Sequence, residues 1–172
     1  MSIDCDELVT DTLKEEITDV ITSDVKASFK INRKSFYLGK LLNYTWQPDM
    51  QLRFVRRDAS PKWIGGIVHE QLVVEGIVKK LNAYMIHYSY RNLKHHIEVA
   101  VKYSKLSAEK MMTQNRKFSV FNLIFNPSLA FIKMYFFHIA FLDGIRGFLA
   151  STIVSFGTFM KYAFAIEKKF RQ

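Results

Sequence analysis

Cysteine is almost missing from this chain: Cys5 is alone among 172 residues, which excludes an internal disulfide and suits a reducing compartment. Its neighbours are carboxylates, which do not favour the thiolate that a nucleophile requires. Acidic residues are scarce after the first 24 positions. Those positions hold eight acidic residues and one lysine, a net of −7, so the remainder carries 24 basic against 8 acidic residues, a net of +16. No RNP-like, zinc-finger or helix-turn-helix pattern accompanies that basic excess, so nucleic acid is not expected as a partner. Long uncharged runs are also lacking. Between 118 and 164 the longest has 15 residues, whereas a bilayer span takes about 20, so no segment clearly crosses. No cleavable signal peptide is recognisable, which points to the cytoplasm or the inner face of its membrane.

What is present is an apolar, aromatic chain, 49% hydrophobic and 15% aromatic, long enough for one sizeable core and excluding a disordered polymer. Asp4-Cys5-Asp6-Glu7 follows Ser2-Ile3, which reads as the end of a buried strand. Carboxylates at the carboxyl edge of an open sheet stand where such sheets bind ligands. Alternate carboxylates suit Mg2+ or Mn2+, hard cations commonly held by one or two carboxylates plus substrate phosphates. The competing reading is a solvated loop leading into a helix.

Thr12 and Glu15 form a capping-box pattern, and Leu13, Ile17, Val20 and Ile21 recur at helical spacing, predicting a helix over 12–22. Val25, Ala27, Phe29 and Ile31 alternate with polar residues as a strand does. Pro48 makes 46–49 a shaped loop, and Met50, Leu52 and Phe54 alternate as a second strand that presents Gln51 and Arg53 on its other face. An arginine there suits a phosphate, because its planar fork matches the oxygens. Val68-His69-Glu70 is a second chemical centre, with His69 as a metal or phosphate ligand and Glu70 as a carboxylate able to take a proton; a structural His-Glu pair is the alternative. A strand and turn at 72–76 close this part. A long helix capped by Ser89 or Asn92 follows, with His87, His95 and His96 read as surface residues. The end of the chain, 118–164, holds eleven of the fifteen phenylalanines and one acidic residue, Asp143. Asn126-Pro127-Ser128 is read as the start of one helix, Asp143-Gly144 as its end and Ile145 as the start of another, a basic aromatic hairpin suited to a membrane interface, with a buried core as the alternative.

These features, taken in order, resemble the family 2 glycosyltransferases of the bacterial cell envelope, especially those that build the lipopolysaccharide core. The resemblance rests on Asp4-Cys5-Asp6-Glu7, Phe36-Tyr37-Leu38-Gly39-Lys40, Trp46 to Phe54, Arg56-Arg57, Val68-His69-Glu70, His87-Tyr88-Ser89-Tyr90, Tyr135-Phe136-Phe137 and Leu142 to Phe148. It implies an α/β chain: a partial GT-A sheet over 1–80, a linker and long basic amphipathic helix over 81–117, and an aromatic helical hairpin over 118–172 for membrane association. It further implies an inverting, metal-dependent transfer from a nucleotide-diphosphate sugar to a glycolipid or lipopolysaccharide acceptor, beside an anionic membrane surface. Asp6 then carries the Mg2+ or Mn2+, with His69 as a further ligand. Asp4 supports the metal or the ribose, Arg53 grips phosphate, and Glu70 is the general base with Asp49 in reserve or positioning the acceptor. Family members carry a nucleotide-binding part before the Asp-x-Asp strand, and Met1 falls where they have an ordinary strand residue, so this chain is expected to be the back part of the enzyme. A non-catalytic membrane-associated fragment or subunit is the alternative.

Overall fold

The computed structural model describes residues 1–65, 71–116 and 118–171. They form two compact units. The first comprises Met1–Phe36 and Pro48–Ser89; the second comprises Tyr37–Gln47 and Tyr90–Gln172.

In the first unit a mixed sheet has strand β1 (Glu7–Val9) antiparallel to β7 (Val78–His87), β7 parallel to β2 (Ser28–Tyr37), and β4 (Met50–Phe54) antiparallel to β2. Helix α1 (Asp11–Thr22) closes one face. Its stripe places Leu13 in a core with Phe29 and Ile31 of β2 and Leu81 and Met85 of β7, with Ile17 and Val20 packed against it; burial of such side chains contributes about 1.5–3 kcal/mol each. The cap lies two residues before the anticipated capping box: Thr10 accepts from the Leu13 amide at 3.3 Å, and the helix starts at Asp11. The Glu16 side chain of α1 accepts from the Asn82 and Ala83 amides of β7, at 2.8 and 2.7 Å, fastening helix to strand.

Two strand assignments change. The acidic segment precedes β1 instead of ending a strand, although the Ser2 amide does bond to the Arg53 carbonyl at 2.8 Å. Residues 78–87 form the ten-residue strand β7 running through the anticipated boundary at 80, since its parallel pairing with β2, from Ser28 opposite Val78 to Ser35 opposite His87, ties it to the first unit. A separate hairpin joins β5 (Lys62–Ile64) to β6 (Gln71–Val73).

The second unit contains the short strand β3 (Lys40–Leu41) and helices α2 (Leu93–Thr113), α3 (Val120–Ile132) and α4 (Ile145–Phe170), with α4 packed against both α2 and α3. Asn92 caps α2 by accepting from the His95 amide at 2.9 Å. Helix α3 starts at Val120, earlier than the Asn-Pro-Ser sequence suggests. Ser119 and Asn122 cap it, and Pro127 lies inside, its carbonyl taken by Ser155 Oγ of α4 at 2.8 Å. A π-helical turn, Lys133–Phe137, continues α3. Val120–Phe137 and Ile145–Phe170 are therefore long and apolar enough to cross a bilayer. The uncharged runs are shorter because Lys133 interrupts the first stretch, and Arg146 and Lys161 the second, without breaking the helices.

The Leu142–Phe148 signature has a folding role within this unit. Asp143 accepts from the amides of Asn43, Tyr44 and Thr45 at 3.0, 3.1 and 2.7 Å. Burial alone would raise its carboxyl, but those amides outweigh it and hold it below the usual carboxylate range. Arg146 Nε donates to the Leu38 carbonyl at 2.9 Å, and Gly147 lies so near the Ala140 carbonyl that a Cβ there would stand 1.8 Å from its oxygen. Tyr37, wholly buried, meets Trp46, Tyr90 and His96 in an aromatic cluster. His96 is thus a core residue and not a surface one: it stacks on Tyr90 at 3.8 Å and its Nδ1 shares a 2.9 Å hydrogen bond with the Tyr37 hydroxyl.

Candidate active site

The acidic turn, β2, β4 and the β5–β6 hairpin together border a cavity of about 610 Å³, all within the first unit, inside the range of roughly 300–1,000 Å³ common for small-ligand sites. Asp4, Lys30, Arg33, Gln51, Arg53 and Trp63 are among its lining residues. The bordering strands are irregular at this place, with register shifts on both sides of Lys30 in β2; such bulges re-aim side chains.

An ion-pair network centred on Glu7 includes three of the lining residues, Asp4, Arg33 and Arg53. The Glu7 side chain is wholly buried, and Oε1 accepts from Arg53 Nη2 at 2.6 Å and Arg33 Nη1 at 3.0 Å, while Oε2 accepts from the Asp4 amide at 3.0 Å. Burial by itself would push the Glu7 carboxyl up; the Asp4 amide and the two guanidinium groups more than offset it, so the group is held below its usual value. Arg33 extends the network by donating through Nε and Nη2 to Asp49 Oδ2, at 2.9 and 2.8 Å. Arg53 Nη2 also bonds Asp4 Oδ2. The buried Arg53 Nε has no acceptor among the described residues.

The anticipated site residues are thereby sorted. Asp4 and Arg53 line the cavity. The Asp6 carboxylate instead meets His87 Nε2 at 3.4 Å, and His87 Nδ1 is bonded to Ser89 Oγ at 2.9 Å. Asp49 has both oxygens engaged, Oδ2 by Arg33 and Oδ1 by Gln51 at 2.6 Å, and its amide donates to Asn32 Oδ1. His69 and Glu70 lie outside the described residues. Arg56, near the following turn, pairs with exposed Asp58, as a solvated arginine would. Glu7, Arg33 and Trp63 were not singled out from the sequence, where no local pattern sets them apart from their neighbours.

Among the described residues no three His, Cys, Asp or Glu side chains gather as a complete metal cage. The donor set nonetheless fits a hard divalent cation of the kind that shares its coordination with a substrate. Asp4 and Asp6 are about half exposed, offer oxygen, and occupy one turn, and Mg2+ is typically held by one or two carboxylates with phosphate and water completing the shell.

No protein-family model and no solved structure matches this chain. Its sequence is similar along 178 aligned residues, 99% of its length, to the lipopolysaccharide core biosynthesis glycosyltransferase LpsC of Rhizobium meliloti (strain 1021), at 26% identity and over 63% of that protein. Two uncharacterized glycosyltransferases, RT0209 of Rickettsia typhi and RP128 of Rickettsia prowazekii, are each 26% identical over 175 residues, 95% of this chain and 60% of theirs. The chain spans about three-fifths of the length of these curated relatives. It thus has glycosyltransferase homologues along nearly all of its length, one of them named for lipopolysaccharide core synthesis.

Proposed function

We propose that the first unit is catalytic sheet of an inverting, family 2, GT-A-type glycosyltransferase that moves a sugar from a nucleotide-diphosphate donor to a membrane-linked glycan such as the lipopolysaccharide core. The observation that carries this reading is the cavity in which Asp4, Arg33 and Arg53 converge, in a chain whose relatives are glycosyltransferases. In the transfer an acceptor hydroxyl attacks the anomeric carbon, the carbon–oxygen bond to the diphosphate breaks, and the hydroxyl proton passes to a carboxylate. Glu70 is assigned that base, and Asp49, fixed by Arg33 and Gln51, positions the acceptor side of the site. Asp4 and Asp6 would hold the Mg2+ or Mn2+, with His69 as a further ligand, and the cation supplies charge neutralisation to the departing diphosphate. Arg53 adds a fixed positive charge at the cavity wall.

The second unit is assigned to the membrane, as a peripheral attachment on the cytoplasmic face of the bacterial inner membrane. Phe121, Ile124, Phe125, Leu129, Phe136 and Phe137 are exposed along α3 and its π-helical turn, an apolar face that interfacial helices bury in the headgroup boundary. Deleting the gene in the bacterium that carries it should remove one sugar from the envelope glycan, detected by mass spectrometry. The wild-type gene should restore it, Asp6→Asn should not, and Glu70→Gln should lower the rate by roughly 10²–10⁴, as loss of a positioned base does. An unchanged glycan after deletion would contradict the assignment.

A further inference from the structure

We propose that the cavity's acceptor subsite takes a sugar ring bearing an anionic group, with Trp63 as the stacking surface and Lys30 as the reader of the charge. This rests on the transferase reading and adds the substrate class. Trp63 is more than half exposed yet lies in the wall of a cavity whose other named residues are mostly polar. A large indole left in water is expected to have a binding use, since it offers flat apolar area at little conformational cost. The chemistry that matches an apolar flat face ringed by polar groups is a pyranose, whose C–H face stacks on the ring while its hydroxyls reach donors and acceptors such as Gln51 and Gln71 of the same wall.

The charge follows from the ion-pair inventory. Arg33 and Arg53 both already face carboxylates: Glu7 bridges them, Asp49 holds Arg33 and Asp4 holds Arg53. Lys30 is different. It is exposed, lines the cavity, and has no carboxylate partner among the described residues. Its cross-strand neighbours are Leu52 on β4 and Lys80 on β7, so a second ammonium on its own sheet favours an incoming anion. Trp63 is paired across its hairpin with Leu72, and both Leu52 and Leu72 line the same cavity. The Trp63 and Lys30 walls thus present one aromatic plate and one cation that no carboxylate among the described residues pairs, which match a hexuronic acid or a sugar phosphate and give a neutral hexose only the plate.

The full chain should be titrated with methyl glucuronide, glucose 6-phosphate and methyl glucoside while the Trp63 indole N–H is followed by NMR, the signal being assigned by its loss in Trp63→Phe. Saturable shifts with Kd on the order of 1–10 mM are expected for one or both anionic sugars, and at least about tenfold weaker binding for the glucoside; the two anionic arms tell carboxylate from phosphate. Trp63→Ala should abolish binding, followed at Gln51 and Gln71, and Lys30→Gln should bring the anionic sugars down to the glucoside's level. Inorganic phosphate alone should leave the indole signal unmoved. Equal affinity for charged and neutral sugars, an unaffected Lys30→Gln variant, or no saturable shift would overturn the proposal. If the anionic sugars bind as described but deletion of the gene leaves the envelope glycan intact, the transferase reading fails while the sugar site stands.

Discussion

Replacing Glu7 by glutamine keeps the shape of the side chain and removes the charge on which the ion-pair network at the cavity depends. Glu7 is wholly buried and bonds two guanidinium groups, at 2.6 and 3.0 Å. Without it Arg53 keeps only the half-exposed Asp4, and Arg33 keeps Asp49, while the two cations face each other across an amide. Removing one partner of a buried ion pair costs about 3–5 kcal/mol, because the remaining charge is desolvated without compensation. The glutamine still offers one acceptor and each arginine retains one carboxylate, so the lower end, about 3 kcal/mol, is expected. Against total stabilities of about 5–15 kcal/mol this is a large loss. The pH dependence has a definite sign. The folded carboxyl of Glu7 lies below its ordinary value of 4.5, so its stabilisation is present above about pH 4.5 and is lost as the pH falls through the folded value. Urea titrations at pH 7, 5 and 3, followed by hydrogen exchange of the β2 and β7 amides, should give a gap between wild type and Glu7→Gln that is widest at pH 7 and narrows at pH 3. A gap below about 1 kcal/mol at pH 7, or one unchanged at pH 3, would refute the idea that Glu7 organises the site.

Three other outcomes are expected. His96 is pushed down to about 4 by burial and by neighbouring His95, so it folds neutral; the second unit should lose up to about 3 kcal/mol as the pH falls from 6.5 to 4, and His96→Phe should flatten that slope, seen in urea titrations of the α2 amides. Gly147→Ala drives a methyl against the Ala140 carbonyl and should cost about 1–3 kcal/mol or more, read as a lowered melting temperature; an unchanged one would mean that this contact yields freely. Flotation with anionic vesicles should be weakened but not abolished by high salt, because charge attraction is screened and apolar contact is not. A protease-protected segment resistant to alkaline extraction would instead establish a span, for which Val120–Phe137 and Ile145–Phe170 have the length.

Periodic features were legible in the sequence because one residue spacing implies one buried face. The stripe of Leu13, Ile17 and Val20 gave α1, and the alternation of Met50, Leu52 and Phe54 gave β4. The Asn92 cap likewise marked the start of α2. Features that depend on partners distant in the chain were not legible. β7 becomes a strand through its parallel pairing with β2, roughly fifty residues earlier. His96 looks like a surface histidine on a basic helix until Tyr37, Trp46 and Tyr90 enclose it. At the candidate site, Asp4 and Arg53 could be picked out by residue type, yet Glu7 could not be told from its acidic neighbours. Its burial is set by Arg33 and Arg53, 26 and 46 positions away.

The central claim, that the Asp4–Glu7 turn serves a metal-carried diphosphate, is tested most directly by adding Mn2+ with a nucleoside diphosphate to the isotopically labelled chain and mapping paramagnetic broadening. Asp4, Cys5 and Asp6 amides, with Arg53 and Gln51 across the cavity, should broaden first, at a nucleotide affinity on the order of millimolar. The effect should vanish with EDTA and fall at least about tenfold in Asp4→Asn and Asp6→Asn. Broadening that ignores the nucleotide, or that centres on Asp11, Glu15 and Asp19 of α1 as it would on any exposed acidic surface, would contradict the account.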